Sequence, residues 1–390
     1  MGKNSMFTNI KIEKYLSCHD TEFLLNDNNV FVGRNGAGKS NIFKTIVEIC
    51  DFASNINKSE IKFFRKDTRI SLFFLLEKVK YNYLVEAGKI NENEEFSPNE
   101  YLYEIADDGS RNCLVYKNES GIYLNDIVVK SNANSPMLPS LTSVLSEDEF
   151  PRVFTVIQEF FRGVKYYPLN REYAHAFDSI IESKRLEAWR KGYESSDNVE
   201  DIVEVPMYLL NIYLEDKSKY EEVYELIGPN GFGLVDKINI QMISLDDGDN
   251  SQGHSVYYFI NFVVSGNRVT FNALSFGTKR IISMILLIVC QPSSTMMLEQ
   301  PEDGIHTGLL KKLIPHIWAY AETLGKQMLV ASHSNDVINF VSPEKIRIVS
   351  LDSTRGTKVS KIMSEQLEQL KFYIENEGNV SDFLEILEDI

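Results

Sequence analysis

Gly33-Arg34-Asn35-Gly36-Ala37-Gly38-Lys39-Ser40 is the stretch from which the reading of this chain follows. It matches GxxxxGK[ST]. It stands between a strand-like run, Asn29 to Gly33, and a helical face made by Ile42, Ile46 and Ile49. Glycines let the backbone wrap so closely that amide N–H groups point at phosphate oxygens, and the N-terminus of the following helix adds favourable partial charge. The spacing therefore predicts a nucleotide site formed by Arg34, Asn35, Gly36, Ala37, Gly38, Lys39, Ser40 and Asn41. Lys39 is expected to reach the β- and γ-phosphates, and Ser40 to ligate Mg²⁺. A second glycine-rich stretch, Gly228-Pro-Asn-Gly-Phe-Gly233, lacks this context. It follows the helical run Tyr220 to Ile227 with no Lys-Ser pair after it, and reads as a helix stop and turn.

Outward from the loop, Asn9 to Tyr15 and Glu22 to Leu25 read as strands. Ile70 to Leu76, Lys80 to Ala87, Tyr101 to Ile105, Cys113 to Lys117 and Gly121 to Leu124 are further strand-like runs. Turn signals such as Asp107-Asp108-Gly109 separate them, which suggests an antiparallel β subdomain. Residues 131 to 145, rich in Ser, Asn and Pro, read as a loop, and Phe150 to Val164 as a helix. Residues 174 to 227 are mostly helical in character, with a polar break at Ser195 to Asp201, and strands return over 237 to 272. The remainder alternates helix (275–290), strand (295–299), helix (308–324), strand (327–331), helix (334–340) and strand (345–351). That alternation implies a parallel sheet. The tail from Ser364 to Asn376 reads as an amphipathic helix. The expected organisation is one α/β domain over 1–390. It comprises an N-terminal lobe (1–173), a helical insertion (174–236) and a C-terminal lobe (237–390).

Three later motifs accompany the P-loop. In Leu274-Ser-Phe-Gly-Thr-Lys-Arg280, Ser275 sits where an N-cap would precede the apolar run Ile281 to Val289, and exposed N–H groups there make a second anion site. Thr295-Met-Met-Leu-Glu-Gln-Pro-Glu302 is an apolar strand ending in Glu299 and Gln300, at the sheet edge where ligands converge. Val330-Ala-Ser-His-Ser-Asn335 places His333 at the end of the next strand.

Together these motifs resemble the ABC-type ATPases, and the Thr278 form of the LSxG signature is similar to the RecF/SMC-like branch. The resemblance implies a P-loop NTPase head of the ABC type with an antiparallel β subdomain and a helical insertion. ATP and Mg²⁺ are the implied cofactors. It further implies that Ser275 and Gly277 contact the γ-phosphate held by a second subunit, that Glu299 supports Mg²⁺ beside Ser40, and that His333 reports the γ-phosphate. Glu302-Asp-Gly-Ile-His306 aligns with the D-loop at the dimer seam. Gln300 departs from the usual Glu: a Gln can orient a water but cannot accept its proton. Three explanations stay open. The natural enzyme hydrolyses slowly as an ATP-gated clamp, Glu302 assists, or an engineered Glu→Gln exchange traps ATP. For the Q-loop, Gln158, Asn170 and Arg171 remain alternatives.

In the arrangement of the family it resembles, the signature cannot reach its own P-loop's γ-phosphate, so one copy of each motif implies a head-to-tail homodimer around two nucleotides. The stretch between Ser40 and Leu274 leaves no room for a long antiparallel coiled coil, nor that after His333 for a nuclease domain. The C-terminal helix with Gly378-Asn-Val-Ser-Asp-Phe383 is similar to the end of OLD-like and abortive-infection ATPases. By that analogy the chain is expected to regulate a separately encoded nuclease or toxin in bacterial antiphage defence. A RecF-like DNA clamp is the alternative.

Composition weighs on these choices. The formal net charge is -16, from 40 basic and 56 acidic residues, which disfavours DNA as the main ligand. Cys18, Cys50, Cys113 and Cys290 lie far apart with no CxxC, which fits a reducing cytoplasm. The apolar run Ile281 to Cys290 is too short to span a bilayer, and no targeting core is read at the N-terminus. No HxxxH pair or GxSxG elbow points to other chemistry. A transporter energy subunit is disfavoured by the Thr278 signature, the insertion and the tail.

Overall fold

A computed structural model describes residues 5–58, 60–62, 64–90, 96–125, 127–130, 132, 134–145, 151–169, 180–195, 205–246, 254–352, 354, 356–376, 378, 382 and 383. The chain opens with β1 (Met6–Tyr15), β2 (Cys18–Leu24), β3 (Asn28–Val32) and α1 (Lys39–Ser54). Next come β4 (Arg69–Leu76), β5 (Val79–Ile90), β6 (Phe96–Ile105), β7 (Arg111–Asn118), β8 (Gly121–Leu124) and β9 (Ile127–Val129). Then follow α2 (Met137–Val144), α3 (Arg152–Arg162), β10 (Val164–Pro168), β11 (Ile180–Glu182), α4 (Ser183–Ser195), α5 (Val205–Glu215) and α6 (Lys217–Ile227). After these are β12 (Lys237–Asp246), β13 (His254–Val264), β14 (Asn267–Val269), α7 (Phe276–Cys290), β15 (Thr295–Glu299) and α8 (Thr307–Thr323). The chain ends with β16 (Gln327–Ala331), α9 (Asn335–Asn339), β17 (Ile346–Asp352), β18 (Gly356–Lys361) and α10 (Ser364–Glu375).

Two compact units divide the chain. The first comprises 1–168, 293–301 and 318–390. It holds a 14-stranded sheet in the order β10-β15-β16-β3-β17-β18-β2-β1-β4-β5-β6-β7-β8-β9. The pairs from β10 through β15, β16 and β3 to β17 are parallel. From β17 onward every pair is antiparallel. The P-loop α/β class expected from the alternation is therefore the class observed, and the antiparallel strands continue the same sheet through β18, β2 and β1. Strands β3 and β16 are buried at every position, as parallel strands covered on both faces must be. Strand β1 is instead buried only in part, at Phe7, Ile10, Ile12 and Tyr15, with a register shift against β4 between Phe7 and Asn9. Helix α1 buries Ile42, Phe43, Ile46, Ile49, Cys50 and Ala53, the stripe its spacing requires. Phe7, Phe74, Phe160 and Phe161 pack ring to ring beside it, joining α3 to the sheet.

Three readings are corrected here. Residues 137–144, expected within a loop, form α2. Its backbone N–H at Met137 donates to both oxygens of the buried Glu100, at 3.0 Å each. The same carboxylate accepts from Lys117 at 3.2 Å and from the Tyr83 hydroxyl at 2.6 Å. A carboxylate at a helix N-terminus satisfies an orphan donor and meets favourable partial charge. That partner lies far off in sequence, so local composition could not announce the helix. A short strand, β11, interrupts the expected helical stretch after 174, because it pairs with β13. Strands β9 and β18 were not expected, and both exist by pairing with β8 and β17.

The second unit comprises 169–292 and 302–317. In it β13 pairs with β11, β12 and β14, all antiparallel. Helix α7 is buried without a break from Arg280 to Val289, so it is the core helix of this unit rather than an amphipathic one. Gln291, just beyond it, donates to the Tyr208 hydroxyl at 2.7 Å. The glycine-rich turn after α6 is the helix stop its context suggested. Gly228 N–H bonds back to Tyr224 O at 2.8 Å, and Phe232 N–H to Leu226 O at 2.7 Å. Among the described residues no helix is long and apolar enough to cross a membrane.

Candidate functional site

The loop between β3 and α1 stands at the carboxyl edge of the parallel sheet. Its last glycine, Gly38, is the N-cap of α1 with φ 106°, a left-handed value that favours glycine. A Cβ there would run into the Thr357 hydroxyl. Lys39 is nearly buried, and its ammonium donates to Gly33 O at 2.6 Å and Arg34 O at 3.1 Å, across the loop. Ala37 N–H closes a turn onto Arg34 O at 3.2 Å. Beside these backbone groups, the Gly36 position faces open space, with nothing within 4 Å of where a Cβ would stand. Arg34 to Ser40 thus form a cradle whose N–H groups and helix N-terminus suit an anion.

Strand β15 lies between β10 and β16, with Glu299 opposite Pro168 and Ala331. The Ser40 hydroxyl donates to one oxygen of Glu299, and the Tyr166 hydroxyl donates to the other. These hard oxygen donors, Ser40 and Glu299, are the chemistry that Mg²⁺ takes. Gln300 continues the ladder with its N–H to Ala331 O at 2.8 Å, then leaves it with φ 49°. That value is uncommon for a residue with a side chain and fits a functional strand end. The Gln300 Nε2 lies 3.2 Å from His333 Nδ1. An amide nitrogen can only donate, so His333 accepts at Nδ1 in this contact. Ser332 N–H bonds to Phe31 O and Ser334 N–H to the Ser332 hydroxyl, both at 3.0 Å, which fixes the turn that presents His333. One unit therefore brings Arg34 to Asn41, Glu299, Gln300 and His333 together at one sheet edge.

Ser275 and Gly277 belong to the second unit. Ser275 is the N-cap of α7 and accepts from Thr278 N–H at 3.2 Å, as its place in the sequence suggested. Its hydroxyl also lies 2.8 Å from the Thr278 hydroxyl. Gly277 approaches the backbone so closely that a Cβ would stand 2.7 Å from Gly304 O. The signature helix is thereby seated on the loop carrying Asp303 to His306. Exposed His306 accepts Gly308 N–H at 3.2 Å, so its ring caps the start of α8. Ser275→Ala is expected to lower the unfolding free energy by about 1 kcal/mol, the worth of an N-cap hydroxyl. Urea denaturation of the variant beside the wild type measures it.

Gln158 is buried in α3, where its carbonyl accepts from Thr142 at 3.3 Å, a packing role rather than one at the cradle. Asn170 and Arg171 lie outside the described residues. Two groups of side chains were missed by sequence reasoning. Tyr166 was passed over; it lies within β10, and its ring meets Phe43 edge-on at 6.1 Å. Ser17 and Thr357 carry no local signal. Asn41 turns toward Ser17, donating to its hydroxyl at 2.8 Å. In the same cluster, burial pushes the Cys18 thiol up to about 11, so it stays protonated and is no nucleophile at neutral pH.

A family model described as "AAA domain, putative AbiEii toxin, Type IV TA system" matches residues 29–339. That span begins in the strand before the P-loop and ends past His333. No curated protein matches the chain. Among solved structures it is similar to an SMC head bound to the C-winged helix domain of ScpA, at 14% identity and TM-score 0.45, over 92% of this chain and 99% of that one. It is also similar to the SMC head domain from Thermotoga maritima, at 14% identity and TM-score 0.40, over 92% and 99% of the two chains. A third is the SMC head domain with an extended coiled coil bound to the C-terminal domain of ScpA derived from Pyrococcus furiosus. Here identity is 14% and the TM-score 0.45, over 95% and 100%.

Proposed function

The chain belongs to the AAA-domain family whose description names the AbiEii toxin and Type IV TA systems, and on that premise we propose that it is an ABC-type ATPase that closes head to tail with a second copy around two ATP molecules. The observation carrying this reading is the meeting of Ser40, Tyr166 and Glu299 beside the P-loop, with Gln300 and His333 adjoining. In the proposed mechanism, N–H groups of Gly36, Gly38, Lys39 and Ser40 and the Lys39 ammonium bind the β- and γ-phosphates. Ser40 and Glu299 would hold Mg²⁺, which when bound would supply positive charge beside the phosphate oxygens. Gln300 orients the attacking water through its carboxamide, and His333 donates from Nε2 toward the γ-phosphate. Ser275 and the N–H group of Gly277 present a second anion site to the γ-phosphate of the partner copy. The γ-phosphate then bridges two subunits, and its loss biases the pair toward opening.

In this reading the ATPase works in the cytoplasm and regulates a separately encoded effector, a nuclease or toxin, in antiphage defence. The family description and the acidic composition support that role over DNA binding. Light scattering in Mg²⁺ tests the closure. ATP or a non-hydrolysable analogue is expected to double the mass, and ADP to leave it unchanged. A chain that binds ATP and stays monomeric at micromolar concentration contradicts it. Affinity capture of the tagged chain from its native host, followed by mass measurement of the complex, tests for the effector.

A further inference from the structure

We propose that Thr357 is a positioning residue for the P-loop, acting through a one-way chain of hydrogen bonds that starts on α1 and ends on the loop's own backbone. The inference rests on the nucleotide-binding reading above and adds the device that holds the cradle in shape.

The links are all short and all in one unit. Asn41 Nδ2 donates to Ser17 Oγ at 2.8 Å. Ser17 Oγ and Thr357 Oγ1 lie 2.7 Å apart. Thr357 Oγ1 donates to Ala37 O at 3.0 Å. A hydroxyl has one proton to give. Thr357 spends its proton on Ala37, so Ser17 must donate to Thr357, and the Ser17 oxygen is left to accept from Asn41. Every member then has a defined role, and each bond polarises the next.

The end of the chain is where it matters. In a trans peptide the C=O and the following N–H point in opposite directions. Drawing Ala37 O toward Thr357 turns Gly38 N–H away from Thr357. The peptide that opens the anion site at the start of α1 therefore cannot rotate while this bond is intact. Gly38 packs against the same hydroxyl with no room for a Cβ, so loop and side chain fit only together.

Thr357 is itself held firmly. It is wholly buried, its N–H donates to Ser17 O at 2.7 Å, and its carbonyl accepts from the Thr21 hydroxyl. The hairpin of β17 and β18 thus reaches back across the chain and sets the geometry of a loop that lies 320 residues earlier.

The test uses the full chain and titrates MgADP by calorimetry. Thr357→Val removes the hydroxyl at nearly constant shape and is expected to weaken MgADP about tenfold, the worth of one structured hydrogen bond. Thr357→Ser keeps the hydroxyl and is expected to bind within about threefold of wild type. The rise in melting temperature on adding MgADP should shrink in the Val variant and return in the Ser variant. A merely structural role would instead lower the nucleotide-free melting temperature and leave affinity unmoved. Should Thr357→Val fail to fold, Ser17→Ala carries the test, with affinity reduced about threefold because Thr357 keeps its bond to Ala37. Wild-type affinity in Thr357→Val, or in Ser17→Ala where that variant is needed, overturns the inference. Equal losses in the Val and Ser variants overturn it as well. A wild-type chain that binds no nucleotide removes the ATPase reading along with it.

Discussion

Lys39→Ala is expected to weaken nucleotide binding by about a thousandfold and to abolish the ATP-dependent gain in mass. The side chain is nearly buried, and its ammonium already spans the loop by donating to Gly33 O and Arg34 O. Charge-assisted hydrogen bonds contribute about 1.5–3 kcal/mol each, so losing two contacts to phosphate corresponds to roughly this factor. The variant also loses the internal ties of the loop. These two losses act in the same direction. Calorimetric titration with ATP gives the first number, and light scattering the second. A Lys39→Ala chain that still pairs in ATP rules out a phosphate-bridged dimer.

Gln300→Glu is expected to raise turnover by about 10²- to 10⁴-fold, the range a positioned general base supplies. A carboxylate at this position can accept the proton of the attacking water, which a carboxamide cannot. The backbone at residue 300 already adopts the left-handed turn, with its N–H on Ala331 O, and Glu differs from Gln by one atom in the side chain. The exchange should therefore leave the fold and the nucleotide affinity near wild type. Phosphate release under saturating ATP measures the change. Unchanged turnover assigns the base elsewhere, with Glu302 the first to examine.

Much of the site was legible because its parts are local. The P-loop is one contiguous turn whose glycines, Lys39 and Ser40 are recognisable by spacing alone. Ser275 as an N-cap follows from its place before the run Ile281 to Val289, since capping acts over three residues. Glu299 and His333 were placed at strand ends by the alternation of the last third of the chain. Helix α2 was illegible because its N-terminus is held by Glu100, a carboxylate on another strand. Strand β18 was missed because it exists through pairing with β17 and β2, rather than through its own composition.

By itself, the sequence determined the class of the protein and the order of its motifs. These depend on period and spacing along the chain, which are properties of neighbours. Only the tertiary structure decided that Tyr166 shares Glu299 with Ser40, and that Ser17 and Thr357 tie the loop from the far end of the chain. A hydroxyl is chemically the same on any strand. What makes one of them hold the P-loop is its distance from Ala37, and that distance is set by the sheet order that puts β17 beside β3, and β18 between β17 and β2.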